Sequence, residues 1–221
     1  MGWSQVQIAN LALASIGSSP LQSLQDAAPA GSAVALMYPY VVNGIFAEYP
    51  WAFARLTQPL EQVALPTLSD GNLLTGWAYA YAIPANLIGP PEKFLANARF
   101  PDDPLREFEV QAGVVYCNQT ALWCTGVAAV DEASWPDYFT TAIVKCLAAE
   151  LYPLITGNGS RLAELQTAAW GAPQENRCGG ALGVARRRDA ALNPSRVIAR
   201  NPLIDVRTAT VEVRPTGLGL G

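Results

Sequence analysis

The first twenty residues follow a helical period. Val6, Ala9, Leu13 and Ile16 recur three or four positions apart, Ser4 and Gln7 form a capping box, and Gly17 offers a left-handed stop. This predicts a helix over 4–17. Ser18 to Gly31, which holds Pro20 and Pro29, reads as a connection. Val34, Met37, Val41 and Ile45 then fall on one face of a second helix over 33–49, bent or restarted at Pro39 and stopped near Pro50.

From Trp51 to Val130 the period shortens. Trp77, Tyr79, Tyr81 and Ile83 alternate with small residues as in a half-buried strand, and Pro84, Pro90, Pro91, Pro101 and Pro104 forbid a long helix up to Phe108. Phe108 to Cys117 and Ala121 to Val130 read as two strands of a hairpin around Asn118-Gln119. Helical period returns with Phe139, Ile143, Leu147 and Leu151, after Ser134 as cap and Pro136 in the first turn, giving a helix over 134–157. Gly157-Asn158-Gly159 ends it. Ser160 caps a further helix over 160–171, and Ala181 to Leu192 has the pattern of a short terminal one.

Beyond Pro194 the apolar residues are spaced closer to two than to 3.6, and the chain closes on Gly217-Leu218-Gly219-Leu220-Gly221. An extended segment without a core of its own needs a partner sheet or groove. The expected fold is therefore α+β. A mainly helical core of four or more helices over 1–192 carries a small antiparallel β-sheet inserted at about 51–130, and an extended C-terminal arm follows over 193–221.

Composition adds a reason to expect assembly. Hydrophobic residues make up 51% of the chain and charged ones only 14%, against roughly 25% in an average soluble domain. Much of the surface is then uncharged, and such surface is commonly hidden between subunits. The small charge is also uneven: residues 1–150 carry five basic side chains against thirteen acidic ones, a balance of −8, whereas residues 151–221 carry nine arginines against five acids, a balance of +4. An acidic body with a basic tail suggests a tail that meets an acidic surface, unless Arg186, Arg187 and Arg188 are only a solvated run. The most apolar stretch, Ala33 to Ala54, is interrupted by Pro39, Asn43, Glu48 and Pro50, so it reads as core and no membrane partner is expected. The start resembles no signal segment, which places synthesis in the cytoplasm.

The familiar catalytic equipment is missing. There is no histidine, no GxSxG elbow, no GxxxxGK[ST] loop and no GxGxxG after a strand. Asp102-Asp103 and Asp131-Glu132 lie beside turn and helix-start signals, where acids serve local structure. Cys117, Cys124, Cys146 and Cys178 lack the spacing and the histidine partners of a zinc site, and they read as core thiols, with Cys117 and Cys124 near each other across the expected hairpin. No enzyme activity, cofactor or metal is expected. Trp77, Tyr79, Tyr81, Trp123 and Trp135 have no basic neighbours to make a base-stacking platform.

The order of these parts resembles a known family, the tail tubular protein A-like head-to-tail adaptors of tailed bacteriophages. The resemblance rests on Ile8-Ala9-Asn10-Leu11-Ala12-Leu13, on Gly17, Pro20-Leu21 and Leu24, and on the Tyr49-Pro50-Trp51-Ala52-Phe53-Ala54 box. It continues through Tyr79-Ala80-Tyr81-Ala82-Ile83-Pro84-Ala85, Trp135 with Phe139, Ala148-Ala149-Glu150-Leu151, and Leu154 with Gly157. These weak patterns, in the right order, span roughly residues 4–170; Leu65 to Gly76, Pro90 to Pro104 and the arm depart from the family. The resemblance implies a virion protein in the head-tail connector: a homo-oligomeric ring, commonly dodecameric, attached to the portal protein above and to a stopper, tail terminator or nozzle protein below. Duplex DNA would pass through it without specific binding. Alternatives are a non-viral oligomeric interaction module, or an enzyme using a cysteine or carboxylates, with Cys117 as its candidate.

The arm holds the residues expected to dock on the portal or a neighbouring adaptor. Val197, Ile198, Leu203, Ile204, Val206, Val211 and Val213 can add a strand or fill pockets, and Arg196, Arg200, Arg207 and Arg214 can pair with acids.

Overall fold

The computed structural model describes residues 2–26, 28–66, 76–157, 159–176 and 178–192. The described chain is α+β: five helices form one layer, and two small antiparallel sheets form a second module inserted between the second and third helices.

Helix α1 (Gln5–Ser15) begins as its sequence dictates. The Gln7 amide donates to Ser4 Oγ at 3.3 Å and the Ser4 amide to Gln7 Oε1 at 2.9 Å. Gly17, at φ 79°, lets Ser18 N–H reach back to Leu13 C=O and its own N–H to Ala14 C=O, so the last carbonyls are satisfied. Asn10 then clamps the following connection: its side chain donates to Leu21 C=O and accepts from Leu21 N–H, at 2.9 and 2.8 Å.

Helix α2 (Pro29–Glu48) starts four residues before the expected Ala33, because Pro29 occupies the first turn, where a missing N–H costs nothing. It runs through Pro39 and Asn43 without a restart. Pro39 and Ala35 both lie on the exposed face, so the carbonyl that Pro39 cannot serve is open to water. By length and composition, α2 and α3 (Asp137–Thr156) are each long and apolar enough to cross a membrane, a test that buried core helices also pass, and the inward face of α2 is core as expected. Their inward faces pack on one another, with Val41, Ile45 and Phe46 of α2 and Phe139, Ile143 and Leu147 of α3 all buried in one cluster.

Two other helix starts also differ from expectation. Ser134 closes a 3₁₀ turn (Glu132–Ser134) and does not cap α3. Pro136 holds Trp135 extended (φ −70°, ψ 135°), so the helix cannot reach back past it. Helix α4 (Leu162–Trp170) takes Arg161, not Ser160, as its N-cap residue, and Arg161 makes no side-chain cap. Helix α5 (Gly180–Leu192) packs on α3 and α4.

The β module is two sheets where one was expected. Strands β1 (Arg55–Pro59), β7 (Trp123–Val127) and β4 (Lys93–Leu95) form the first, in the order β1-β7-β4. Strands β2 (Glu61–Val63), β3 (Tyr79–Ala82), β6 (Val114–Cys117) and β5 (Glu109–Gln111) form the second, in the order β2-β3-β6-β5. Only Leu60 separates β1 from β2; its N–H bonds Leu122 C=O as the chain passes between sheets. The expected hairpin around Asn118-Gln119 is not there. That turn crosses from one sheet to the other, with Asn118 Oδ1 accepting from Ala78 N–H at 3.0 Å, while Cys117 pairs with Tyr79 and Cys124 lies between Gln58 and Phe94. The real hairpin is β5–β6, turned by Ala112-Gly113 with φ of 48° and 79°, the two positive values of a type I′ turn.

The Tyr49–Ala54 box joins the two layers. Phe139 lies at the centre of an aromatic group, with ring centroids 4.8 Å from Phe46, Trp51 and Phe53 and 5.0 Å from Trp135. Trp51 Nε1 donates to Ile45 C=O at 2.9 Å and Trp135 Nε1 to Val130 C=O at 2.8 Å, so both buried indoles are satisfied.

Candidate assembly surface

The residues of α2 divide sharply between two environments. Val34, Tyr38, Val41, Val42, Ile45 and Phe46 are buried, and the opposite stripe carries Ala35, Leu36, Pro39, Tyr40, Asn43 and Gly44, all exposed. Leu36 and Tyr40 are 71% and 70% exposed. The only charged residue in the whole helix is Glu48, its last. A solvated helix face ordinarily alternates charges, so twenty residues, about 30 Å of helix at ~1.5 Å per residue, with an uncharged outer face make a surface suited to another protein. No Cβ contact limits approach at Gly44. Leu36 and Tyr40 project from this face, with the small residues Ala35 and Gly44 beside them. Along one flank a cavity of about 350 Å³ lies between Tyr40, Gly44, Glu150 and Trp170.

A second feature holds helix α5 to the body. Asp189 is 1% exposed and its carboxylate accepts from Tyr138 Oη at 2.9 Å and from the Ala52 amide at 2.8 Å. Arg186 Nη2 bonds Glu48 Oε2 at 2.7 Å, and its guanidinium lies 5.9 Å from the Tyr49 ring centre. Helix α5 is thereby latched to the end of α2 and the start of α3, three residues before the described chain stops at Leu192. The arginine run thus has two parts: Arg186 is half-buried in this latch, while Arg187 and Arg188 are exposed. The predicted docking residues, Arg196 to Arg214, lie outside the described residues.

The groups with catalytic candidacy have structural partners or environments. Glu132 accepts from Gln5 Nε2 at 2.7 Å and from Tyr38 Oη at 3.3 Å. Burial pushes the Cys117 and Cys124 thiols up, which keeps them protonated and opposes nucleophilic use. Cys146 is buried as well, and Cys178 is exposed. Sequence reading missed the α2 stripe because it counted only the apolar positions facing inward; the absence of charge from Pro29 to Ala47 was the available signal. It also missed Asp189, which reads as one more residue of a charge run.

No family model matches the chain, and no curated protein matches it at a significant level.

Proposed function

We propose that this chain is a structural subunit of a tailed-phage connector: a head-to-tail adaptor that packs side by side with copies of itself in a ring between the portal and the tail or stopper. The observation that carries the reading is the uncharged outer face of α2, with Leu36 and Tyr40 about seven-tenths exposed. A lateral contact in which this helix packs on a different surface of the next copy is heterologous, and such contacts close into rings when the rotation allows. The ordered resemblance over residues 4–170 favours the phage connector among possible ring assemblies. The body's excess of acids suits a conduit through which DNA slides, because phosphate-binding arginines and lysines would hold it. The protein's part is architectural, without a catalytic step, and the arm over 193–221 attaches to the portal or to the adjacent copy. Electron microscopy of the purified full chain, alone and mixed with its portal, tests this. Closed rings with lateral subunit contacts support it, and isolated copies bound without such contacts contradict it.

A further inference from the structure

The β module carries a second unpartnered surface, different in kind from the α2 face. Strand β5 is the outer strand of the four-stranded sheet; Glu109, Val110 and Gln111 are all exposed, and among the described residues no strand pairs with its outer side. Exposed sheet edges are templates for an added strand. Beside this edge a cavity of about 590 Å³ opens between Pro91, Phe94, Leu105, Phe108 and Val110. Phe108 and Val110 are 38% and 46% exposed at its mouth. The rim is acidic next to the strand: Glu107 and Glu109 are exposed, and Glu109 is held in place by Trp77 Nε1 at 3.0 Å. An open edge, an apolar pocket and fixed acids form a site for an extended peptide with alternating apolar and basic residues. Main-chain bonds would give affinity there and the pocket would give selectivity.

The chain itself contains such a peptide. After Leu192 come 29 residues, and within them Thr208-Ala209-Thr210-Val211-Glu212-Val213-Arg214 alternates strictly, is rich in β-branched residues and is flanked by Arg207. We infer that the Thr208–Arg214 segment of one copy adds as a strand to the β5 edge of a neighbouring copy, with Val211 and Val213 on the side of the pocket and Arg214 on the other side, with Glu109. This rests on the ring reading and names the surface at which its arm attaches. Each copy then gives one strand and receives one, a second heterologous contact in series with that of α2.

Hydrogen exchange on the full chain tests it, measured at dilute and at assembling concentrations while sedimentation reports the oligomer. The expected result is that amides of 208–214 and of 109–111 slow together, by about tenfold or more, only in the assembled form. Full chains carrying Val211→Asp with Val213→Asp should lose both protections at once. Rings that form while 208–214 exchanges freely would overturn this inference and leave the ring reading standing. Equal protection in the dilute monomer would also overturn it, because the strand would then come from the same copy. Failure to assemble at any concentration, with the portal present as well as without it, would remove both.

Discussion

The hydroxyl of Tyr138 donates to the buried carboxylate of Asp189 at 2.9 Å, and this contact ties the last helix to the first turn of α3. The other carboxylate oxygen takes the Ala52 amide, so one side chain joins α5, α3 and the Tyr49–Ala54 box. Replacing Asp189 by Ala leaves two donors without a partner. A loss of about 2–4 kcal/mol is expected, from roughly 1–3 kcal/mol for each buried group left unsatisfied. Tyr138→Phe should cost about 1 kcal/mol. Denaturant unfolding of the single and double variants would show coupling between the two; strict additivity would show that the contact does not link the helices.

The same environment predicts alkaline behaviour. Burial, with the carboxylates of Asp189 and Glu132 adding to it, pushes the Tyr138 and Tyr38 hydroxyls well above the ordinary 10.0. Each folded-state value is raised, so their stabilising contribution is complete below about pH 10 and is lost as pH climbs toward the folded values. Unfolding curves should therefore show stability falling above about pH 10, and absorbance titration of the folded chain should show these two phenols ionising last. Ionisation of all tyrosines together near the ordinary value, with no alkaline loss, would contradict the burial.

Turn chemistry gives a stabilising prediction. Ala112 has φ 48°, a conformation that costs a residue with a Cβ roughly 1–2 kcal/mol and that Asn tolerates better. Ala112→Asn should raise stability by about 0.5–1 kcal/mol, because Asn-Gly is the preferred type I′ pair. A midpoint lower than that of the unchanged chain would argue against the turn.

That turn also shows where sequence reading stops. Helix α1 was legible from its two ends, since the Ser4–Gln7 box and the Gly17 stop are local signals that their own neighbours satisfy. The α+β class and the late helices were legible from the hydrophobic period and, for α3, from the Gly157 stop, not from the expected caps at Ser134 and Ser160. The β5–β6 turn was not, because Ala-Gly is a poor turn signal and Asn118-Gln119 a better one; the better one is used for passage between sheets. Pro39 looked like a break because chain position alone does not say that its face is exposed. The candidate site divides in the same way: the absence of charge in α2 is visible in the residues, but which side faces outward depends on Phe46, Trp51 and Phe139 packing on the other.

Thiol reactivity checks the β module's own buried cluster, in which Cys117 and Cys124 lie with Leu60, Tyr81, Phe94, Val115 and Leu122. Cys117, Cys124 and Cys146 are buried and Cys178 is exposed. One thiol per native chain should react quickly with a maleimide, and all four should react after unfolding. Fast labelling of Cys117 in the native state would undo the two-sheet packing and restore it as a candidate nucleophile.

The uncharged face of α2 is the centre of the account, and the most direct test is the mass of the full chain in solution with and without Leu36→Glu and Tyr40→Glu together. Both side chains are mostly exposed, so folding should be nearly unaffected, within about 0.5 kcal/mol per site, which a thermal melt verifies. The unchanged chain should form closed rings, alone or on its portal, and the double variant should melt normally but stay monomeric. Rings of unchanged mass and subunit number from the variant would contradict it.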